Sequence, residues 1–113
     1  EALGINDRQQ LAGAGAVLRE RIATERMSAG VTIIDPQNTY IDAGVTVGRD
    51  TTLWPGTLLR GATSVGANCQ IGPHTTLIDT VAGDGACVRH ALVERAELPP
   101  GATVGPCAHV IGE

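Results

Sequence analysis

Three histidines are the residues of this chain best suited to chemistry. His74, His90 and His109 follow one another at intervals of similar length. Imidazole is a common metal ligand, and it can act as a general base near neutral pH. A catalytic zinc site needs three protein ligands and one open position for water. The fold must therefore bring the three rings together before they could form such a site.

The three cysteines are a second possible source of ligands. Their odd number and their spacing match neither a disulfide framework nor a zinc motif. We predict reduced thiols, as in a cytoplasmic protein. We expect Cys69 to be a small buried hydrophobe, with Cys87 and Cys107 on different faces and no zinc held by the three.

An aliphatic residue returns about every six positions from Ile41 to Val110, and this repeat organises the chain. A short fixed period is typical of a solenoid. Side chains alternate along a strand, so the start of each repeat and the residue two before it share the inner face. The sequence predicts a β-class fold, a parallel β-helix of hexapeptide repeats with about four triangular coils. Its predicted inner columns are 41/59/77/93/110, 47/65/82/98 and 53/71/88/104.

Two further columns accompany the aliphatic one. The position two residues before a repeat start is small or β-branched: Val45, Thr51, Thr57, Thr63, Cys69, Thr75, Ala86, Ala102 and Ala108. Glycine often follows the start directly: Gly48, Gly66, Gly72, Gly83 and Gly105. We predict that these glycines adopt a positive φ where the chain bends.

A helical arm is predicted before the repeats, over residues 7–29. Asn6 and Asp7 are good N-cap candidates, preceded by an apolar run that resembles the end of a strand. Gly30 is a suitable C′ residue. A narrow apolar stripe has helical spacing and should pack against a neighbouring element: Leu11, Ala14, Leu18 and Ile22.

Counted from the preceding repeat start, the histidines occupy the fourth, third and sixth places of their repeats. We therefore predict no common column, and we favour solvent-facing or packing histidines over a metal site or a general base. Trp54 follows an inner residue and should point outward, as a surface ring or as an interface anchor. Charged residues of the repeats and the helix should form solvated surfaces: Arg49, Arg60, Arg89 and Arg95, with Arg19, Arg21, Glu25 and Arg26.

The length of 113 residues leaves room for one domain, and the composition is consistent with a β-helix. Phenylalanine is absent, and Trp54 and Tyr40 are the only aromatic residues of the whole chain. The net charge of −4 argues against nucleic acid or an anionic membrane as partner. No apolar run approaches the ~20 residues of a membrane span, and no signal peptide pattern is present. We expect a cytoplasmic protein. The missing initiator methionine and the uncapped last repeat suggest a piece of a longer chain.

Several segments carry a family resemblance: residues 4–11 (GINDRQQL), 29–36 (AGVTIIDP), 39–42 (TYID) and 104–109 (VGPCAH). They resemble the bacterial bifunctional N-acetylglucosamine-1-phosphate uridyltransferase/glucosamine-1-phosphate acetyltransferase. The resemblance implies that residues 1–5 end a nucleotidyltransferase domain, 6–30 form a linker helix, and 31–113 begin a left-handed β-helix that assembles as a homotrimer. It also implies acetyl transfer from acetyl-CoA to glucosamine 1-phosphate, then uridylyl transfer from UTP with Mg²⁺, giving UDP-N-acetylglucosamine for the cell wall.

Asn6 matches the family asparagine that helps to hold Mg²⁺ and the sugar nucleotide. The other parts of that site are not recognisable here, and Mg²⁺ usually needs carboxylates, phosphate oxygens and water. For the acetyltransferase site, the chain contains no lysine, and Val110, Ile111 and Gly112 stand where the family places an arginine. We therefore predict two incomplete active sites and a scaffold that is inactive alone. The alternative is a stand-alone enzyme of the hexapeptide-repeat class, either an acyltransferase or a zinc enzyme like the γ-class carbonic anhydrases.

Overall fold

A long helix, α1, precedes the repeats in the structure, a computed structural model that describes the backbone of residues 2–112 and the side chains of residues 7–112. Helix α1 spans Ala2–Ser28. Asn6 and Asp7 therefore lie inside the helix, so the predicted N-cap at these two residues is wrong, as is the strand end predicted for the apolar run before them. No proline interrupts this stretch, and alanine and leucine at its start favour helix.

The end of α1 is a Schellman motif. Gly30 has a φ of 101°, its N–H donates to the Met27 carbonyl, and the Val31 N–H donates to the Arg26 carbonyl, both at 3.1 Å. These two bonds satisfy carbonyls that the last helical turn leaves free. The prediction of Gly30 as C′ residue is confirmed.

Within residues 2–112, fourteen short strands wind into three parallel sheets, here called faces A, B and C. Face A contains β1 (Thr32–Ile33), β4 (Thr52–Leu53), β7 (Gln70–Ile71), β10 (Cys87–Val88) and β13 (Thr103–Val104). Face B contains β2 (Thr39–Ile41), β5 (Thr57–Arg60), β8 (Thr75–Ile78), β11 (Ala91–Glu94) and β14 (Ala108–Ile111). Face C contains β3 (Thr46–Val47), β6 (Ser64–Val65), β9 (Val81–Ala82) and β12 (Glu97–Leu98).

The pairing between coils confirms the predicted inner columns. Leu59 pairs with Leu77 on face B, Val65 with Ala82 on face C, and Ile71 with Val88 on face A. The chain is a β-solenoid of about five coils, consistent with a left-handed β-helix. The predicted number of coils, about four, was one too few. Ile33 also pairs with Leu53 and so begins the column of face A. A 3-10 helix, Pro36–Asn38, then interrupts the six-residue step.

The column of small residues is buried from Val45 to Ala86 and half-buried at Ala102 and Ala108, and its threonines are hydrogen-bonded. Thr57 Oγ1 donates to the Trp54 carbonyl and Thr63 Oγ1 to the Arg60 carbonyl, each at 2.7 Å. Buried hydroxyl groups need such partners, which are supplied by the residues just before the strand or, for Thr51, by the Gly66 carbonyl of the next coil. The interior thus combines stacked aliphatic side chains with an internal ladder of threonine hydroxyls.

Only some of the glycines adopt the predicted backbone conformation. Gly72 and Gly105 have φ values of 99° and 101°, as expected, whereas Gly48 does not have a positive φ. At Gly48 the reason is the next coil, since an added Cβ would lie 2.5 Å from the carbonyl carbon of Gly66. Left-handed turns are instead often made by other residues: Asp50, Asn68, His74, Asp79, His90, Arg95 and Cys107.

Only the carboxyl-terminal part of α1 covers the first coil. Ile22 and Ala23 are buried, whereas Leu11 is 74% exposed and Leu18 is also exposed. The predicted stripe therefore packs against the described residues only at its end. One turn after Ile22, the Arg26 guanidinium donates a hydrogen bond to the Val45 carbonyl at 2.9 Å.

Two arginines of α1 depart from the predicted solvated surface. Arg26 reaches the first coil with its side chain 19% exposed. The Arg19 guanidinium lies 4.5 Å from the centre of the Tyr40 ring, a cation–π contact. Both side chains therefore fasten the helix to the solenoid.

Candidate functional site

Asn6 cannot be joined to a site, because its side chain lies outside the described residues and its backbone belongs to α1. Within the described part, no group of three or more His, Cys, Asp or Glu side chains is arranged to hold a metal ion. The Mg²⁺ role of Asn6 thus remains a prediction.

His74 and His90 stack at one corner of the solenoid. Their ring centres are 5.5 Å apart at an interplanar angle of 41°. The prediction of no shared column is wrong for this pair. Each lies three residues before an inner residue of face B, Leu77 or Val93, and these two residues pair. For these two histidines, a shortened step changes the place counted from the preceding repeat start. The place counted back from the next inner residue is the same for both, and it gives them their common position in space.

His109 lies elsewhere, on strand β14 opposite Leu92. Its Nε2 is 2.8 Å from Glu94 Oε2. A carboxylate beside an imidazole can orient it for proton transfer. Here the His109 side chain is 51% exposed, and it lines neither of the two concave regions described below. The pair therefore has suitable hydrogen-bond geometry without an enclosed site.

The predictions that Cys69 is buried and that Cys87 and Cys107 lie on different faces are confirmed. Cys69 is buried, Cys87 lies on face A, and Cys107 precedes face B; all three are free thiols. The Cys87 sulfur accepts a hydrogen bond from Arg89 Nη2 at 3.3 Å. This hydrogen bond, together with electrostatic attraction to the same sulfur, raises the pKa of Arg89 above its ordinary value.

A cleft of about 260 Å³ opens on the outside of face A, lined by Trp54, Gln70, Gly72, Pro73 and Arg89. Trp54 points outward, as predicted, and its Nε1–H donates to Gln70 Oε1 at 2.9 Å. The sequence analysis identified Trp54 but missed its relation to Arg89. The signal was available, because both residues directly follow inner residues of the same predicted column.

A second and wider groove, of about 730 Å³, separates α1 from the 3-10 helix. Its wall on the helix carries Arg19 and Glu20, and the opposite wall carries Asp35 and Gln37. Charges of both signs therefore face this groove, and no single ligand charge is favoured by it.

The outer surface of face B is more apolar than those of the other faces. Its outward positions are five apolar residues, Tyr40, Leu58, Ile78, Leu92 and Ile111, and four polar or charged ones, Arg60, Thr76, Glu94 and His109. The outward positions of face A are Thr32, Thr52, Gln70, Cys87 and Thr103. Those of face C are Thr46, Ser64, Val81 and Glu97. Among the described helices, none has the length and apolar character needed to cross a bilayer.

No family model matches the chain, but comparison with curated proteins finds relatives among the bifunctional GlmU proteins. The bifunctional protein GlmU of Geobacillus sp. (strain WCH70) is 46% identical over 110 residues, 97% of this chain and 24% of that protein. The GlmU of Mycobacterium sp. (strain KMS) is 51% identical over 107 residues, 95% of this chain and 22% of that protein. The chain thus spans about a quarter of the length of the curated relatives it matches. Through its helix and its solenoid coils, this chain is homologous to one segment of the bifunctional GlmU proteins.

Proposed function

We propose that the chain is the linker helix and the first coils of the acetyltransferase domain of a GlmU-type enzyme. In this proposal residues 1–5 end a nucleotidyltransferase domain, 6–30 form the linker, and 31–113 begin the β-helix. The observation that carries it is the 46% identity over 97% of the chain, which extends across both the helix and the solenoid. General resemblance among hexapeptide repeats would not extend into the helix.

The whole enzyme would make UDP-N-acetylglucosamine in the cytoplasm. It would acetylate glucosamine 1-phosphate from acetyl-CoA and then transfer a uridylyl group from UTP. Mg²⁺ would act in the second step, and Asn6 would help to hold it together with the sugar nucleotide. The chemistry is then carried by parts of the enzyme beyond those described here, and this chain positions them.

We expect no acetyl transfer from this chain alone. The absence of lysine from the sequence supports this expectation. The test supplies acetyl-CoA and glucosamine 1-phosphate and measures released thiol, with the Geobacillus GlmU protein as positive control. Product at a rate above the blank would contradict the scaffold role. If His109→Ala abolished that product, the His109–Glu94 pair would favour the stand-alone acyltransferase instead.

We also propose that the chain forms a homotrimer through the outer surface of face B, whose apolar side chains would be covered by neighbouring copies. Size-exclusion chromatography with light scattering should give three times the chain mass of 11.6 kDa. Leu58→Asp with Leu92→Asp should give a monomer, because buried carboxylates in an apolar interface are costly. Val81→Asp, on the outside of face C, is the matched control and should remain trimeric. A monomeric parent chain would contradict this part of the proposal.

A further inference from the structure

The cleft on face A is a gap in a column of outward-facing positions. Trp54, Gly72 and Arg89 directly follow Leu53, Ile71 and Val88, which pair in register from coil to coil. Trp54 and Arg89 follow strands β4 and β10, and the backbones of these two strands are separated by two strand spacings, about 9–10 Å. Since glycine has no side chain, a space remains between the indole of Trp54 and the guanidinium of Arg89.

The gap is fixed by the backbone at Gly72. This residue has a φ of 99°, a conformation that other residues rarely adopt. A Cβ added there would lie 3.0 Å from the Trp54 carbonyl oxygen. Pro73 closes one side of the space with a rigid ring. The cleft is therefore maintained by local geometry that a side chain at this position would disrupt.

Both walls of the cleft are held in place by neighbouring side chains. The indole N–H of Trp54 is bonded to Gln70, and one nitrogen of Arg89 is bonded to the Cys87 sulfur. Gln70 and Cys87 occupy paired positions on adjacent strands of face A. Because the walls are already ordered, a ligand would lose less free energy to side-chain immobilisation.

The charge of Arg89 is not balanced by a carboxylate. The ion pairs found within residues 7–112 involve Arg26, Arg95 and His109, and none involves Arg89. Several aspartates are engaged elsewhere by backbone N–H groups, as Asp79 is by Ala62 and Asp84 by Ala67. A guanidinium has five donors in a planar fork that suits phosphate or carboxylate, and an aromatic face binds planar rings by stacking.

We infer that this cleft binds a small aromatic anion, with the planar ring against Trp54 and a phosphate or carboxylate group against Arg89. The volume of about 260 Å³ lies below the roughly 300–1,000 Å³ of pockets for drug-sized ligands. One ring and one anionic group are therefore the expected size. For so small and open a site we expect a dissociation constant on the order of 0.1–1 mM.

The experiment uses the intrinsic fluorescence of Trp54, which is the only tryptophan in the chain. Phenyl phosphate is titrated while the indole emission is followed, and saturable quenching is expected. Benzyl alcohol supplies a ring without an anion, and inorganic phosphate supplies an anion without a ring. Each should bind at least about tenfold more weakly, since it uses only one wall of the cleft.

Three variants assign the site. Arg89→Gln should weaken binding of phenyl phosphate at least about tenfold, because it removes the charged donor. Arg21→Gln removes the same charge from an exposed arginine on α1 and should change nothing. Gln70→Ala should weaken binding a few-fold, because the indole loses the partner that positions it.

Thermal unfolding followed by circular dichroism checks that each variant keeps the solenoid. The assignment would be overturned if phenyl phosphate bound no more tightly than benzyl alcohol or inorganic phosphate. It would also be overturned if a folded Arg89→Gln variant kept the affinity of the parent chain for phenyl phosphate. Absence of saturable quenching up to 10 mM, about tenfold above the expected range, would overturn it as well. The site does not depend on the GlmU-type function, since both walls lie within this chain.

Discussion

Replacing Leu77 by alanine is expected to lower the free energy of unfolding by about 2–5 kcal/mol. Leu77 is fully buried, with 0% exposure, and it pairs with Leu59 on one side and Val93 on the other. The coils are fixed by hydrogen bonds between strands, so they cannot move together to fill the space. Most of the cavity should therefore remain, which places the loss in the upper half of this range.

Leu11→Ala is the matched control for Leu77→Ala. It removes the same atoms from a side chain that is 74% exposed on α1, and alanine is a good helix former. Its effect should stay within about 0.5 kcal/mol. Both values can be measured by urea unfolding followed by circular dichroism at the strand signal. A loss below about 1 kcal/mol for Leu77→Ala would mean that the column collapses, contrary to a rigid solenoid.

The inner columns could be predicted from the sequence because one physical requirement repeats at every coil. Each strand must place an aliphatic residue on top of the inner residue of the previous coil. Leu59, Leu77 and Val93 meet this requirement in three successive coils. Ile33 was missed because the chain passes through the 3-10 helix Pro36–Asn38 before the regular step begins. Periodicity therefore identifies the regular coils but does not identify the first coil, where the step is interrupted.

The helix was harder to interpret, since periodicity does not say what an apolar residue touches. Leu18 and Ile22 are one turn apart in the sequence, but only Ile22 is buried against the first coil. Arg26 shows the converse, because a charged residue predicted to be solvated instead bonds the Val45 carbonyl. Both outcomes depend on where the solenoid meets α1, and no local pattern contains that information.

The side chains outside the solenoid could be placed by counting from the nearest paired inner residue. His74 and His90 each lie three residues before such a residue of face B, so they are neighbours in spite of unequal places within their repeats. Trp54, Gly72 and Arg89 each lie directly after such a residue of face A, which places Trp54 and Arg89 on either side of Gly72. Register could thus have been predicted from the sequence, whereas the hydrogen bonds of Trp54 and Arg89 required the structure.

Gly48→Ala is expected to destabilise the protein by about 2–3 kcal/mol, toward the upper end of the usual cost of overpacking. The added Cβ would lie 2.5 Å from the carbonyl carbon of Gly66 and 2.6 Å from the backbone nitrogen of Ala67. These atoms belong to the next coil, and Gly48 is bonded to it through its own N–H, which donates to the Val65 carbonyl at 2.8 Å. Relief would require two coils to separate locally, because no flexible side chain can move aside.

Gly13→Ala provides a control of opposite sign for Gly48→Ala. In helix α1 an added Cβ at Gly13 would meet nothing within 4 Å, and alanine is favoured over glycine by about 1 kcal/mol in a helix interior. Thermal unfolding should therefore show a lower midpoint for Gly48→Ala, and a raised or unchanged midpoint for Gly13→Ala if the helix frays before the solenoid melts. Equal midpoints for the parent chain and Gly48→Ala would show that the coils can separate at this corner without cost, and the close approach of Gly48 to Gly66 would then not explain the glycine in this column.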